Sequence, residues 1–221
     1  MFLNHLGIPV ADLSFDGPYG VYHSLYDTHR WVATIGDPGF RYHGVLVRLW
    51  GLIALRLANA DALPLDYEPY AVRIGTFIDE AERRALPWLG VDATADMFTD
   101  VRQAAGELRE AAAAFNLARS RILADAHRDA LDGLNASLLQ VERQFTDPGG
   151  IPNRPWYRHQ IYAPKYTYAP EVLPGLTEAV DARDARTASG QAARISAALR
   201  RAARILRPES EPARKPEPRV R

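Results

Sequence analysis

A chain of 221 residues, 47% hydrophobic and 24% charged, has enough apolar material for a sizeable core, either as one large domain or as one domain with an attached fragment. Its 27 Lys and Arg balance 27 Asp and Glu, so no net field draws it to nucleic acid or to an anionic membrane. It contains no cysteine, which excludes disulfides, thiolate catalysis and Cys-ligated zinc.

The chain opens with "MFLNHLGIPV", which has neither a basic start nor a long apolar stretch and does not read as a signal peptide. Residues 1–39 are rich in Gly, Pro and aromatic side chains and read as loop, with an edge strand expected around Val10 to Phe15. From Phe40 the pattern becomes helical, and "FRYHGVLVRLWGLIALRLANA" reads as a long, mostly buried helix ending before Pro64. Gly44 and Gly51 within it suggest close packing on another element. Arg48 and Arg56 break this most apolar window, so no membrane span is expected.

A second helix is predicted from about Tyr67 to Leu86, with Asp66 as its cap and Pro87 as its stop. A third begins near Asp96 and sets Phe98, Val101, Leu108 and Phe115 along one side. A fourth carries Ala130, Leu131, Leu134, Leu138 and Val141 as a stripe. The segment "TDPGGIPNRPWYRHQIYAPKYTYAPEVLPG" is about 30 residues, against roughly 2–8 for an ordinary bundle connection, and reads as a loop with a role of its own. A helical hairpin or one long helix follows over Leu176 to Leu206, with alanines recurring at Ala179, Ala192, Ala193, Ala197, Ala198, Ala202 and Ala203. Ala-rich faces not used inside the bundle are natural dimer surfaces, because small side chains let helices approach closely. Residues 207–221 are dominated by Pro and charge and are expected to be disordered.

The least ordinary stretch is "FDGPYGVYHSLYDTHRW". A helix after Ser24 would put His23 and Asp27 on one face and turn His29 away. Two ligands fall short of a catalytic zinc, which takes about three protein ligands plus water; a hydrogen-bonded structural histidine is the plainer alternative. Tyr22 could donate to an oxyanion or simply pack. His43 reads as a satisfied core or helix-end histidine. Arg154, Arg158 and His159 could bind a carboxylate, but a loop pinned by Arg–carboxylate or cation–π contacts accounts for them more simply. No known catalytic motif is complete.

Three stretches taken together, "GPYGVYHSLYDTHRWVATIGDPGFRYH", "DPGGIPNRPWYRHQIYAP" and "YAPEVLPGLTEAV", resemble the C-terminal end of the glutamate carboxypeptidase II / transferrin receptor family over about Leu6 to Leu206. The resemblance implies a mainly α chain. Residues 1–61 would be the loop-rich remnant of an α/β zinc peptidase domain, 62–206 a helical, up-and-down dimerisation domain with a long inserted loop, and 207–221 a tail. It places His23 on a zinc ligand and Tyr22 on a contact to substrate and tetrahedral intermediate. It places Tyr168 on a pocket-closing loop. Glutamate-selective members have a lysine before that tyrosine; here Thr167 stands there, and Lys165, two positions earlier, is the substitute.

The family's other four zinc ligands and its glutamate general base lie upstream of the matched region. The expected function is therefore a homodimerisation module, with zinc as the cofactor of the parent family and none bound tightly by this chain alone. The expected partners are a second copy and an upstream peptidase domain. Two alternatives are a functional part of a split or truncated zinc carboxypeptidase or aminopeptidase, and a receptor-like scaffold without catalysis; the presence of His23 speaks against the last. The sequence identifies no compartment, although the parent family is often extracytoplasmic. The first 40 residues are expected to be the least stable.

Overall fold

The computed structural model of the chain describes residues 1–124, 128–165 and 169–207. Tyr168 and nearly all of the expected tail lie outside the described residues. The chain divides into two units, Val10–Pro64 and Met1–Pro9 with Leu65 onward.

The larger unit is a helical bundle. Helix α3 (Glu68–Leu89) starts where the Asp66 carboxylate accepts the Glu68 N–H at 3.0 Å. It buries Ala71, Ile74, Ile78, Ala81 and Ala85 on one stripe. The expected stop at Pro87 is corrected: the helix absorbs this proline in its last turn and runs on to Leu89. So close to the helix end, the missing N–H frees only one carbonyl. Gly90 turns the chain (φ 81°), and α4 (Val91–Ala124) begins five residues before the expected Asp96. At 34 residues it is the longest helix, about 50 Å. The predicted stripe of Phe98, Val101, Leu108 and Phe115 is buried as expected. Helix α5 (Arg128–Arg143) buries Leu134, Leu138 and Val141.

The long connection after α5 is built rather than slack. The Asp147 N–H bonds the Arg158 carbonyl at 2.8 Å, and the Gln160 N–H bonds that of Phe145 at 2.8 Å. Gly150, at φ 69°, lies so tightly on Pro155 that a Cβ there would collide with its backbone. The connection then forms a two-stranded antiparallel sheet, β1 (Tyr162–Pro164) with β2 (Pro170–Val172), in which Tyr162 opposes Val172. Of the two readings for the C-terminal part, the hairpin is observed: α6 (Pro174–Asp181), a turn, and α7 (Ala185–Leu206), capped by Asp184 accepting the Thr187 N–H at 3.0 Å.

Met1–Pro9 packs on this bundle. Its single helical turn, Phe2–Leu6, ends at Gly7 in the left-handed conformation (φ 60°), where a Cβ would stand 2.7 Å from Arg143 Cα. The Asn4 carbonyl accepts the Arg158 N–H at 3.0 Å, and the His5 ring lies 4.9 Å from that of Trp156.

The smaller unit, Val10–Pro64, holds a single turn α1 (His29–Trp31), wider helical turns over Val32–Gly36, and helix α2 (Arg41–Ala58). The strand expected at Val10 to Phe15 does not form; the segment is irregular, and no strand pairs with it. Helix α2 forms as predicted, but the expectation that it is mostly buried is corrected: none of its residues is buried, and Val45, Val47, Leu49, Leu52, Leu55 and Leu57 are exposed. Gly44 and Gly51 likewise face open space rather than a closely packed neighbour. The period of a sequence establishes the helix, while burial needs an opposing surface.

Among the described residues, no helix is long and apolar enough to cross a membrane.

Candidate functional site

Residues 21–28 fold as consecutive turns. The Ser24 N–H bonds the Val21 carbonyl at 2.9 Å, and the Asp27 N–H bonds that of Ser24 at 3.1 Å. The helix that would align His23 with Asp27 is absent from this stretch. The turns instead force His23 into the left-handed region at φ 60°, where bulky residues are rare. Its ring stacks on that of Tyr22 at 3.9 Å, and both residues point outward, Tyr22 being 76% exposed. His29 belongs to the scaffold, with its ring 5.7 Å from Phe40.

Tyr22 and Asp27 line a cleft of about 590 Å³ together with Trp31, Asp37, Tyr42 and His43. Asp37 and His43 form a hydrogen-bonded pair in it. The buried Asp37 carboxylate accepts the N–H groups of Tyr42 and His43 at 3.1 and 3.0 Å and meets His43 Nδ1 at 2.6 Å. Burial pushes this carboxyl up. The His43 imidazole and the backbone N–H groups at the start of α2 outweigh that effect and bring its pKa to about 2. His43 is thus a helix-end histidine, as read from the sequence. Asp37 was not singled out there, although an Asp-Pro-Gly turn just ahead of an apolar helix is a recognisable helix-start signal.

The second cluster lies on the long connection. Arg154 donates to the Pro164 carbonyl, ion-pairs with Glu178 and covers the Tyr157 ring at 5.6 Å. It pins the loop, the simpler of the two readings. Lys165 ion-pairs with the buried Glu171 of β2.

His159 is fully buried. Its Nδ1 accepts the Tyr162 N–H at 3.1 Å, so the proton sits on Nε2, which donates to Glu142 Oε1 at 3.0 Å. Tyr70 donates to the same oxygen at 3.1 Å, and burial first and Glu142 second hold its phenol well above the usual range. This network ties α3, α5 and the connection together. Sequence reasoning missed Glu142 and Tyr70, and no local spacing signals them.

His23, Tyr22 and Asp27 therefore share one loop, and Lys165 stands in the other unit. Among the described residues, no group of three or more His, Asp or Glu side chains converges as a metal site.

The transferrin receptor-like dimerisation domain matches residues 96–207, slightly more than half the chain. A probable glutamate carboxypeptidase of Arabidopsis thaliana is 34% identical over 94% of the chain and 30% of its own length. One of Zea mays is 31% identical over 94% of the chain and 30% of its length. An inactive zinc metalloprotease of Schizosaccharomyces pombe is 28% identical over 93% of the chain and 27% of its length. The chain thus spans about 30% of the length of these curated relatives. Fold and matches agree: the chain belongs to the transferrin receptor-like dimerisation domain family and is similar to glutamate carboxypeptidases.

Proposed function

We propose that the chain is the dimerising part of a glutamate carboxypeptidase-like zinc metallopeptidase and is not catalytic alone. In this reading residues 62–206 form the homodimerisation domain, and 1–61 are the end of a peptidase domain whose remainder is a separate stretch of protein. The observation that carries it is α2, which carries large apolar residues around most of its circumference, with Arg41, Arg48 and Arg56 gathered on one side, and buries none of them. A helix of that kind belongs inside a larger protein. The matched relatives, about three times as long as this chain, supply a context of that size.

His23 would then give the parent site one zinc ligand, Tyr22 a contact to the substrate, and Tyr168 and Lys165 pocket groups. The chain's own described residues do not make up a zinc centre, so the remaining ligands would come from elsewhere in the parent. The strained backbone at His23 supports the related reading in which the chain is a functional part of a split or truncated zinc carboxypeptidase or aminopeptidase. The inactive relative keeps the non-catalytic scaffold in view.

Sedimentation equilibrium together with zinc calorimetry tests the proposal. A dimer is expected, with zinc binding weaker than micromolar, and His23→Ala should leave dimerisation unchanged. A monodisperse monomer, or tight zinc binding by the chain alone, would overturn it.

A further inference from the structure

The core side of α7 consumes Ala188, Ala192, Ile195, Ala198, Leu199 and Ala202. Arg194, Ala197 and Arg201 are not part of it, and at i, i+3 and i+7 they share one helix face. That face meets the start of the long connection and leaves a cavity of about 360 Å³, whose other walls include Thr146, Asp147 and Gln160.

The polar groups around this cavity are unevenly spent. One Asp147 oxygen accepts the Gly149 N–H at 2.8 Å, and the other accepts Arg194 Nη1 at 2.7 Å and Gln160 Nε2 at 3.3 Å. Burial pushes this carboxyl up. The three donors outweigh that effect and hold it below the usual carboxylate range, so Asp147 is ionised at neutral pH. Thr146 donates its hydroxyl to the Arg143 carbonyl at 2.7 Å. Arg194 spends an N–H on Asp147, and Arg201 spends one on the Gln144 carbonyl at 2.9 Å. A guanidinium carries several more, so both arginines keep donors for a ligand. Two arginines against one aspartate also leave the lining one positive charge in excess.

Gln160 is the opposite case. It is only 8% exposed, and its Oε1, sealed from solvent, has no hydrogen-bond partner. Turning the amide round does not help. Its Nε2 faces a carboxylate, which only accepts, so the nitrogen belongs there and the oxygen stays unpaired. The cavity thus offers spare donors, spare positive charge and one buried acceptor that lacks a donor.

We propose that this cavity binds inorganic phosphate in a form that keeps a proton, with the two guanidinium groups on its oxygens and its P–OH donating to Gln160 Oε1. Planar guanidinium forks suit a tetrahedral oxyanion, and Ala197 between them leaves it room. Sulfate and carboxylates are fully ionised at neutral pH and bring acceptors only. Either would leave the Gln160 oxygen unpaired against another oxygen. Phosphate retains a hydrogen at this pH and satisfies both sides. Arg194, whose side chain is 53% exposed, has the freedom to swing aside and open Oε1 to the ligand. The site is independent of the dimerisation reading.

Titration calorimetry on the full chain at pH 7, in phosphate-free buffer, tests this with inorganic phosphate, sulfate and O-phosphoserine. Phosphoserine has a second pKa of about 6 and has mostly shed its proton. Phosphate should bind with a Kd below roughly 1 mM, and the other two at least about tenfold more weakly. Arg201→Gln leaves the partners of Asp147 in place and should weaken phosphate binding about tenfold. Gln160→Met keeps the bulk and removes the acceptor, so phosphate and sulfate should then bind within about threefold of each other. Thermal melts check that the variants fold. Should Gln160→Met melt differently, the wild-type preference and Arg201→Gln carry the test. Sulfate or phosphoserine matching phosphate on the wild-type chain, phosphate affinity unmoved in Arg201→Gln, or no saturable phosphate binding up to about 10 mM overturns the site.

Discussion

The two units put similar side chains to opposite use. In the bundle, Ile74, Phe98, Leu108, Leu138 and Leu199 are fully buried, and the long connection is tied down by a buried Tyr–Glu–His network. In Val10–Pro64, α2 carries at least as many large apolar residues and buries none of them. Composition and helical period do not distinguish these two kinds of helix. What separates them is whether an opposing surface is present. One unit has its core, and the other leaves the apolar side chains of its long helix exposed.

Hydrogen exchange sharpens the contrast most. Amides of α4 and α7 should exchange only through global opening, at least about a thousand-fold more slowly than those of residues 10–40. Strong protection across residues 10–40 would break the comparison.

Next in size is a matched pair of truncations. Leu108→Ala should cost about 2–5 kcal/mol in denaturant unfolding, as cavities in packed cores do. Leu55→Ala, in exposed α2, should stay within about 0.5 kcal/mol. Equal costs would mean that α2 is buried in solution.

Tyr70→Phe removes one of the two donors to Glu142 and should cost about 1–3 kcal/mol, the range for a hydrogen bond to a buried charged group. Trp156→Ala, on the exposed side of the same connection, should cost less than about 1 kcal/mol. If Tyr70→Phe is neutral, the network does not fasten the connection.

The smallest effect is a titration. Asp37 has a pKa of about 2 against an ordinary 3.8, a depressed carboxyl. Its contribution is therefore complete above about pH 4 and is lost as pH falls through about 2. The Tyr42 and His43 amide shifts should follow a midpoint near that lower value. A midpoint near 4 would mean that the cap is not made in solution.

Legibility in the sequence followed the range of the interaction. The stripe of Phe98, Val101, Leu108 and Phe115 predicts α4 because period and burial coincide there. Its start was misplaced because Pro87 is absorbed and Gly90 makes an abrupt join that propensity does not reveal. Asp37 with His43 was half legible, since a cap lies six residues from its partner. Tyr70 and Glu142 are 72 residues apart, and no local pattern connects them. Tyr22 and His23 stood out in the sequence as functional types in a turn, and the roles proposed for them rest on resemblance alone.

By itself the sequence determined the helices, their apolar stripes, the hairpin over α6 and α7 as one of two options, and the family. Helical period and capping are local, and family motifs are linear. Only the tertiary structure decided which alanines are consumed inside the bundle and which remain outside, and that His23 sits in a strained turn. It also decided that α2 finds no core within these residues. Those facts depend on what lies opposite each side chain in space, and chain order does not encode that directly.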